Sequence, residues 1–137
     1  MKIILASTSP YRAQQLHNLG LPFTVFAPQF DEEAYKTKSR LTPVQLSRHL
    51  AREKARSIYG ARLMARPSRR VDTVVIGADQ LACIGKEILG KPHNRKNAIE
   101  MLTKMQGRRH KLITSICAIG PNVQLLHDIH RSVVELT

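Results

Sequence analysis

The chain has 137 residues, of which 42% are hydrophobic, enough for one domain with its own core. Its 22 Lys and Arg against 10 Asp and Glu give a formal net charge of +12, which favours polyanionic partners such as nucleotides, nucleic acid or an anionic membrane face. The composition excludes a fibre and a disordered chain, the apolar runs are too short to span a membrane, and 4% aromatic residues leave little for a single-strand stacking platform.

The beginning of the chain and its two cysteines indicate the compartment. Met1 and Lys2 lead directly into a strand pattern without a signal-peptide apolar region, which predicts a cytoplasmic protein. Cys83 and Cys117 stand singly in strand-like runs without metal-ligand spacing. They are therefore expected to be reduced core thiols.

The first pattern is a buried strand at 3–6 followed by a helix that begins at Pro10, with Ser9 as its N-cap and Gly20 as its stop. Hydroxyl groups, free helix N–H groups and Arg12 thus gather where a strand meets a helix. Such a place favours an anion, because the helix dipole and the unpaired amides attract negative charge. A capped helix with a surface arginine explains the same residues.

A short strand at 21–26 is followed by three adjacent carboxylates at 31–33. Adjacent carboxylates repel one another unless they are solvated or share a cation. A solvated acidic loop is one interpretation, and a Mg²⁺ site that uses Glu32 is the other, since hard cations prefer oxygen ligands.

A capping box, in which Thr42 precedes Gln45 by three positions, predicts a helix that ends near Gly60. Apolar residues recur along it at four-residue intervals, and Lys54 interrupts their stripe. Burying an ammonium group costs several kcal/mol unless it is paired or solvated. Lys54 must therefore either extend its amine to solvent or meet an anion in a cleft.

The segment 62–70 carries four arginines around a proline without periodicity. It is interpreted as a basic loop. Contact with nucleic-acid phosphates and a solvated insertion both explain it.

The strongest strand pattern, 71–76, is β-branched and typical of a central strand covered on both faces. It is expected to deliver Asp79 near its carboxyl end, where α/β folds place their chemistry. The strand continues at 81–84, and Gly85 and Lys86 turn it into a hairpin. Gly90, Lys91 and Pro92 close that hairpin without forming a P-loop pattern.

Asn94 is predicted to cap a helix that ends at Gly107, with an apolar face assigned to the core. Strand patterns follow at 110–119, 123–126 and 130–137. The chain stops within the last of them. The expectation is one domain over 1–137 that is incomplete at its C-terminal end.

Five motifs in this order and spacing resemble the Maf family of nucleoside triphosphate pyrophosphatases: LASTSPYR at 5–12, DE at 31–32, AREKA at 51–55, VIGADQ at 75–80 and LGKP at 89–92. The resemblance implies an α/β fold with a mixed elongated sheet, flanking helices and two lobes around a cleft, similar to inosine triphosphatase. It also implies hydrolysis between the α and β phosphates, which releases a nucleoside monophosphate and pyrophosphate.

The resemblance carries roles over to particular positions. Asp79 would accept the proton of the attacking water, and Glu32 together with Asp79 would hold a divalent metal, Mg²⁺ or alternatively Mn²⁺. Ser7 would lie beside the triphosphate, and the three cations Arg12, Lys54 and Lys91 would grip it. The neighbouring cations are expected to keep Asp79 ionised.

Two positions concern the nucleobase. Family members that act on dTTP and UTP have Arg after the Ser-Pro and Thr after the Asp, whereas this chain has Tyr11 and Gln80. An aromatic residue with Gln resembles the branch that hydrolyses 7-methyl-GTP, although that branch usually carries Trp. Cationic 7-methylguanine would stack on the Tyr11 ring.

The chain also departs from the family pattern. Ala13 stands where the 7-methyl-GTP branch often has a second Arg, and the family continues past Thr137 with further site residues and strands. Three alternatives therefore stay open: a dTTP/UTP pyrophosphatase, a basic nucleic-acid-binding module, and an inactive truncated family member. A homodimer is also left open.

Overall fold

The computed structural model describes residues 2–38, 40–60, 72–90, 93–120 and 126–135, and of 36–38 and 126–135 only the backbone. The described chain is a mixed α/β fold, as expected. The basic segment 62–70 and Lys91 lie outside the described residues. In chain order the elements are β1 Lys2–Ala6, α1 Pro10–Asn18, β2 Thr24–Phe26, α2 Glu32–Lys38, α3 Pro43–Ile58, β3 Thr73–Ile84, β4 Glu87–Leu89, α4 Arg95–Met105, β5 Arg109–Ile119 and β6 Leu126–Glu135.

The six strands form one sheet with β3 at its centre. Its main path runs β2-β1-β3-β5-β6, and β4 pairs with β3 beside this path. β1 is parallel to β2 and β3, whereas β4, β5 and β6 are joined by antiparallel pairing. The sheet is therefore mixed, and β3 carries the change from parallel to antiparallel neighbours.

One edge of β3 is shared by two strands that do not meet. β5 pairs with residues 75–83 of β3, so β1, which pairs with 73–77, and β4, which pairs with 82–84, must both lie on the opposite edge. Residues 78–81 lie between them on that edge. The sheet thus divides at the middle of β3 into a β1–β2 side and a β4 side.

The ends of α1 and α3 follow the sequence signals. The Ser9 hydroxyl accepts a hydrogen bond from the Arg12 N–H, and Gly20 has a φ of 75°, which suits glycine. The Thr42 capping box is complete, with both reciprocal hydrogen bonds present. Both predicted caps are confirmed.

Helix α3 packs against the sheet and provides most of its cover. Ala51, Ala55 and Ile58 pack with Val75 of β3 and residues of β5. A second apolar cluster joins the remaining buried leucines of the helix to the far half of β3: Leu46, Leu50 and Leu81. Lys54 lies on this same buried face.

Gly77 permits the close approach of α3 to β3. A Cβ atom at this position would lie 2.2 Å from the Ala51 carbonyl oxygen and 2.7 Å from the Ala55 nitrogen. Both are backbone atoms, so no side-chain rotation can relieve the contact. Any larger residue must therefore push the helix away from the strand.

Gly77→Ala is expected to lower the free energy of unfolding by about 3 kcal/mol, because overpacking against backbone forces the helix to move. Urea unfolding followed by circular dichroism measures the loss. Gly60→Ala is the matched control, since a Cβ there meets nothing within 4 Å. Equal stability of the two variants would contradict the close approach described here.

Two predictions around the site were wrong in their local structure. The acidic segment is not a loop: Glu32 and Glu33 begin α2, and the Asp31 carboxylate accepts a hydrogen bond from the Ala34 N–H. Acidic residues stabilise a helix N-terminus, so the same three carboxylates are compatible with the start of a helix, which the loop interpretation did not consider. Asp79 does not end a strand but lies within β3, opposite Ser115 of β5, because antiparallel pairing with β5 carries the strand onward.

Helix α4 begins after the predicted Asn94 cap, but the assignment of its apolar face to the core was wrong. None of its residues is buried, and Ile99 and Leu102 are more than half exposed. Helical periodicity shows that a face is apolar without showing what covers it.

Cys83 and Cys117 are both buried and free, as predicted. None of the described helices has the length and apolar character needed to cross a membrane.

Candidate active site

A cleft of about 630 Å³ opens where the β3 edge is divided. The segment after β1 forms one wall, the end of β4 forms another, and residues 79–82 of β3 lie between them. This volume falls within the range of small-molecule sites. The predicted residues Ser7, Arg12, Glu32, Lys54, Asp79 and Gln80 all line it.

Lys54 lies between two carboxylates. Its Nζ is 3.1 Å from Glu32 Oε2 and 3.1 Å from Asp79 Oδ1. The Lys54 side chain is 10% exposed and that of Asp79 only 2% exposed. Of the two outcomes open for Lys54, the structure shows the second, because its ammonium group meets anions in a cleft.

Asp79 is a buried carboxylate whose protonation reflects opposing effects. Burial raises its pKa above the ordinary value, the Lys54 ammonium opposes this shift, and the Glu32 carboxylate adds to it. The Lys54 ammonium therefore acts on the Asp79 pKa in the expected direction, but burial outweighs it. A carboxylate with a raised pKa is a stronger base than an exposed one.

The second oxygen of the Asp79 carboxylate, Oδ2, is buried and has no hydrogen-bond partner among the described residues. Together with Glu32 it provides hard oxygen donors, which suit a divalent cation such as Mg²⁺. Glu32 and Asp79 are thus donors of the type that such a metal takes, although the described residues contain no group of three or more His, Cys, Asp or Glu residues placed to hold a metal ion.

The start of α1 forms the cationic wall of the cleft. The Ser7 hydroxyl accepts a hydrogen bond from the Ser9 N–H, and Ser7 is 3% exposed. Arg12 donates from Nη1 to the Ala78 carbonyl oxygen over 3.0 Å. Ala78 lies on the divided edge of β3, so Arg12 satisfies a strand carbonyl there while its guanidinium lines the cleft.

Glu32 is held in place by packing of α2 on α3. Tyr35 stacks on the His49 ring with centroids 4.4 Å apart, and Phe30 contacts the Tyr35 ring. Both aromatic residues also pack on Leu46 and its neighbours. These contacts fix the first turn of α2, from which Glu32 reaches Lys54.

Of the two residues assigned to the nucleobase, Gln80 lines the cleft and Tyr11 does not. Gln80 is exposed and lines the cleft, one residue beyond Asp79. Tyr11 is 73% exposed on α1, between Pro10 and Arg12, which both line the cleft. Lys91 lies outside the described residues, directly after Gly90 of the lining.

Sequence reasoning missed the apolar part of the lining. Ala82, Leu89 and Leu112 come from three adjacent strands and line the β4 side of the cleft. Their residue types are those of any strand, so no sequence signal distinguishes them from core. Only the pairing of β4 and β5 with β3 brings them to one surface.

Two solved structures share the fold of this chain. The fold matches a nucleoside-triphosphatase/dITP/XTP pyrophosphatase from Mycobacterium abscessus with a TM-score of 0.59 and 12% identity, covering 98% of this chain and 74% of that one. It matches the Ham1 protein of Staphylococcus aureus with a TM-score of 0.58 and 15% identity, covering 100% and 72%. At these identities the likeness concerns the fold alone.

Sequence comparison is more specific. The model of the Maf family, described as Maf-like protein, matches residues 2–137, and the chain belongs to that family. It is 44% identical to a dTTP/UTP pyrophosphatase of Aquifex aeolicus over 94% of this chain and 62% of that protein. It is also 44% identical to a 7-methyl-GTP pyrophosphatase of Bdellovibrio bacteriovorus, over 95% of this chain and 64% of that protein.

A nucleoside triphosphate pyrophosphatase of Haemophilus ducreyi is 37% identical over 97% of this chain and 64% of its own length. The chain therefore spans somewhat under two thirds of the length of these curated relatives.

Proposed function

We propose that the chain hydrolyses nucleoside triphosphates between the α and β phosphates, releasing a nucleoside monophosphate and pyrophosphate. The observation that carries this proposal is the buried Asp79 carboxylate held by Lys54 in a cleft that Arg12 and the start of α1 also line. Family membership and the names of the relatives support it.

The polyphosphate would bind along the cationic wall. Arg12, Lys54 and the first N–H groups of α1 are positive, and phosphoryl transfer depends mainly on positioning and on neutralising developing charge. Lys91, the next residue in the sequence after the lining residue Gly90, is proposed as a third cation. Arginine suits this task because its planar group binds two phosphate oxygens at once.

Asp79 is the proposed proton acceptor. The water oxygen attacks the α phosphorus, the bond from that phosphorus to the bridging oxygen breaks, and the pyrophosphate leaves with that bridging oxygen. The proton of the water passes to Asp79, whose raised pKa makes it the stronger base. Glu32 holds Lys54 from the other side and thereby orients it.

Glu32 and Asp79 would also hold the divalent metal, Mg²⁺ in the first instance. When bound, such an ion lowers the pKa of water and neutralises phosphate charge.

For the nucleobase, the proposal is 7-methylguanine. Tyr11 offers an exposed ring beside the cleft, and a cationic ring gains by stacking on an aromatic face. The Gln80 amide, on the cleft floor, can pair with a base edge. The relatives carry both the 7-methyl-GTP and the dTTP/UTP names, so the two residues are the basis for choosing between them.

A nucleotide panel tests both levels of the proposal. The chain with Mg²⁺ is expected to release pyrophosphate from 7-methyl-GTP faster than from GTP, dTTP or UTP, as measured by phosphate release after coupling to inorganic pyrophosphatase. Faster turnover of dTTP or UTP would overturn the assignment of the base. Release from none of the four would overturn the proposed activity.

Tyr11→Ala is expected to raise the KM for 7-methyl-GTP about tenfold, because it removes the stacking surface for a cation. The KM for unmethylated GTP should change much less. Tyr11→Phe keeps the ring and is the matched control, expected to stay close to the original enzyme. An equal loss for both nucleotides would show that Tyr11 supports the fold of α1 and does not bind the base.

A further inference from the structure

A pair of buried hydroxyl groups lies directly behind the catalytic carboxylate. Ser47 of α3 and Ser115 of β5 are both 0% exposed, and their oxygens are 2.8 Å apart. The Ser47 oxygen also lies 3.4 Å from the backbone carbonyl oxygen of Asp79. A carbonyl only accepts, and each hydroxyl has one proton. Both are satisfied if Ser115 donates to Ser47 and Ser47 donates to Asp79.

The surroundings of this pair are apolar. Leu46 and Leu50 belong to one core cluster, and Ala51 and Ala55 belong to the other. A helix that only had to cover the sheet would carry an apolar residue at position 47, since a buried hydroxyl without a partner is destabilising. A satisfied polar pair instead selects one arrangement of helix and sheet, because any shift leaves both groups unpaired.

The selected arrangement is the one that brings Lys54 to Asp79. Ser47 and Lys54 are seven residues apart, close to two turns of α3, and therefore share a face. Ser47 approaches the main chain of Asp79 while Lys54 contacts its side chain. From the other side, Ser115 is the register partner of Asp79 between β3 and β5.

We infer that Ser47 and Ser115 are positioning residues for the proposed pyrophosphatase: their hydroxyl chain holds α3 in the register that sets the Lys54 ammonium against the Asp79 carboxylate. The inference rests on the proposed function. It concerns two residues that do not themselves line the cleft and that, by their burial, do not contact a bound nucleotide.

Three variants separate positioning from simple stability: Ser47→Ala, Ser115→Ala and the double variant. Ser47→Ala removes the partner of the buried Ser115 hydroxyl, and Ser115→Ala leaves Ser47 only its longer contact with the Asp79 carbonyl oxygen. Both single changes are expected to destabilise the protein, whereas the double change removes both hydroxyl groups and recovers most of the loss. The kcat is expected to stay at least about tenfold lower in all three, because a displacement of about 1 Å at the reacting groups is costly. The KM should rise by a smaller factor than the kcat falls, since Arg12 and the α1 wall are untouched.

Two controls accompany them. Ser115→Thr keeps the hydroxyl and is expected to retain the kcat. Thr73→Val removes a buried hydroxyl from the far end of β3 and is expected to affect stability without affecting the kcat. If the kcat of the double variant recovers together with its stability, the positioning role is overturned.

A crystal structure of the double variant gives a readout that does not need turnover. The distance from Lys54 Nζ to Asp79 Oδ1, 3.1 Å here, is expected to lengthen beyond hydrogen-bonding range. An unchanged distance would overturn the inference. A chain that is inactive even with Ser47 and Ser115 intact would instead overturn the proposed function, and this distance would still test the positioning role.

Discussion

Replacing Asp79 by asparagine is expected to lower the rate of pyrophosphate release about a thousand-fold. Asparagine has nearly the same shape but cannot accept the proton of the attacking water, and a positioned general base contributes two to four powers of ten. The Asp79 carboxylate is 2% exposed and lies 3.1 Å from Lys54 Nζ. Steady-state release of pyrophosphate from 7-methyl-GTP with Mg²⁺ measures the loss.

The Asp79→Asn variant should remain folded, because Glu32 still pairs with the Lys54 ammonium at 3.1 Å. Asp72→Asn is the matched control: it makes the same chemical change at an exposed position just before β3 and should leave the rate unaltered. A folded Asp79→Asn protein that keeps more than a tenth of the rate would show that another group accepts the proton.

Lys54→Met is expected to lower the free energy of unfolding by about 3 kcal/mol. Methionine fills a similar volume among the leucines of α3, but it leaves Asp79 and Glu32 facing each other without a cation. Breaking a buried ion pair by removing one partner is destabilising because a charge stays buried and uncompensated. Urea unfolding at pH 7 measures the loss.

The double variant Lys54→Met/Asp79→Asn tests the cause. Removing the second charge is expected to restore a large part of the lost stability, as the two positions are coupled through their contact. Lys86→Met, on the exposed turn of the β3–β4 hairpin, is the control for loss of a lysine and should be nearly neutral. If the double variant is no more stable than Lys54→Met, the pair does not explain the loss.

The division of the β3 edge explains why the cleft lies where it does. β1 stops pairing with β3 at Gly77 and β4 starts pairing with it at Ala82, so on that edge Ala78 has no strand beside it, whereas β5 pairs with it on the other edge. Arg12 donates to the Ala78 carbonyl oxygen at 3.0 Å, and Lys54 Nζ approaches it at 3.5 Å. Where the sheet edge is interrupted, the side chains of Arg12 and Lys54 therefore both approach the residue that precedes Asp79.

Local signals in the sequence predicted much of the secondary structure. The caps of α1 and α3 and the glycine turn between β3 and β4 depend on residues within a few positions of one another, and they are confirmed. The isolated polar residues Lys54 and Asp79 were recognisable because each interrupts an apolar pattern. Such interruptions are informative because burying an unpaired charge costs free energy, so a buried charge indicates a nearby partner.

The predictions that failed depend on contacts with residues that are distant in the sequence. α4 was assigned to the core because its face is apolar, yet Ile99 and Leu102 are exposed. Asp79 was expected near the carboxyl end of the strand at 71–76, whereas pairing with β5 makes it an interior residue of the single strand β3. A solvated loop was one of two interpretations of the acidic segment, and Glu32 instead begins α2.

By itself, the sequence determined the elements, the isolated charges and, through five spaced motifs, the family, because these depend on residue types and their intervals along the chain. The tertiary structure alone decided that Lys54 stands between Glu32 and Asp79, and that Ser47 and Ser115 stand behind them. Contacts of this kind join residues 22 to 68 positions apart, and they are set by strand register and helix packing, which no local pattern encodes.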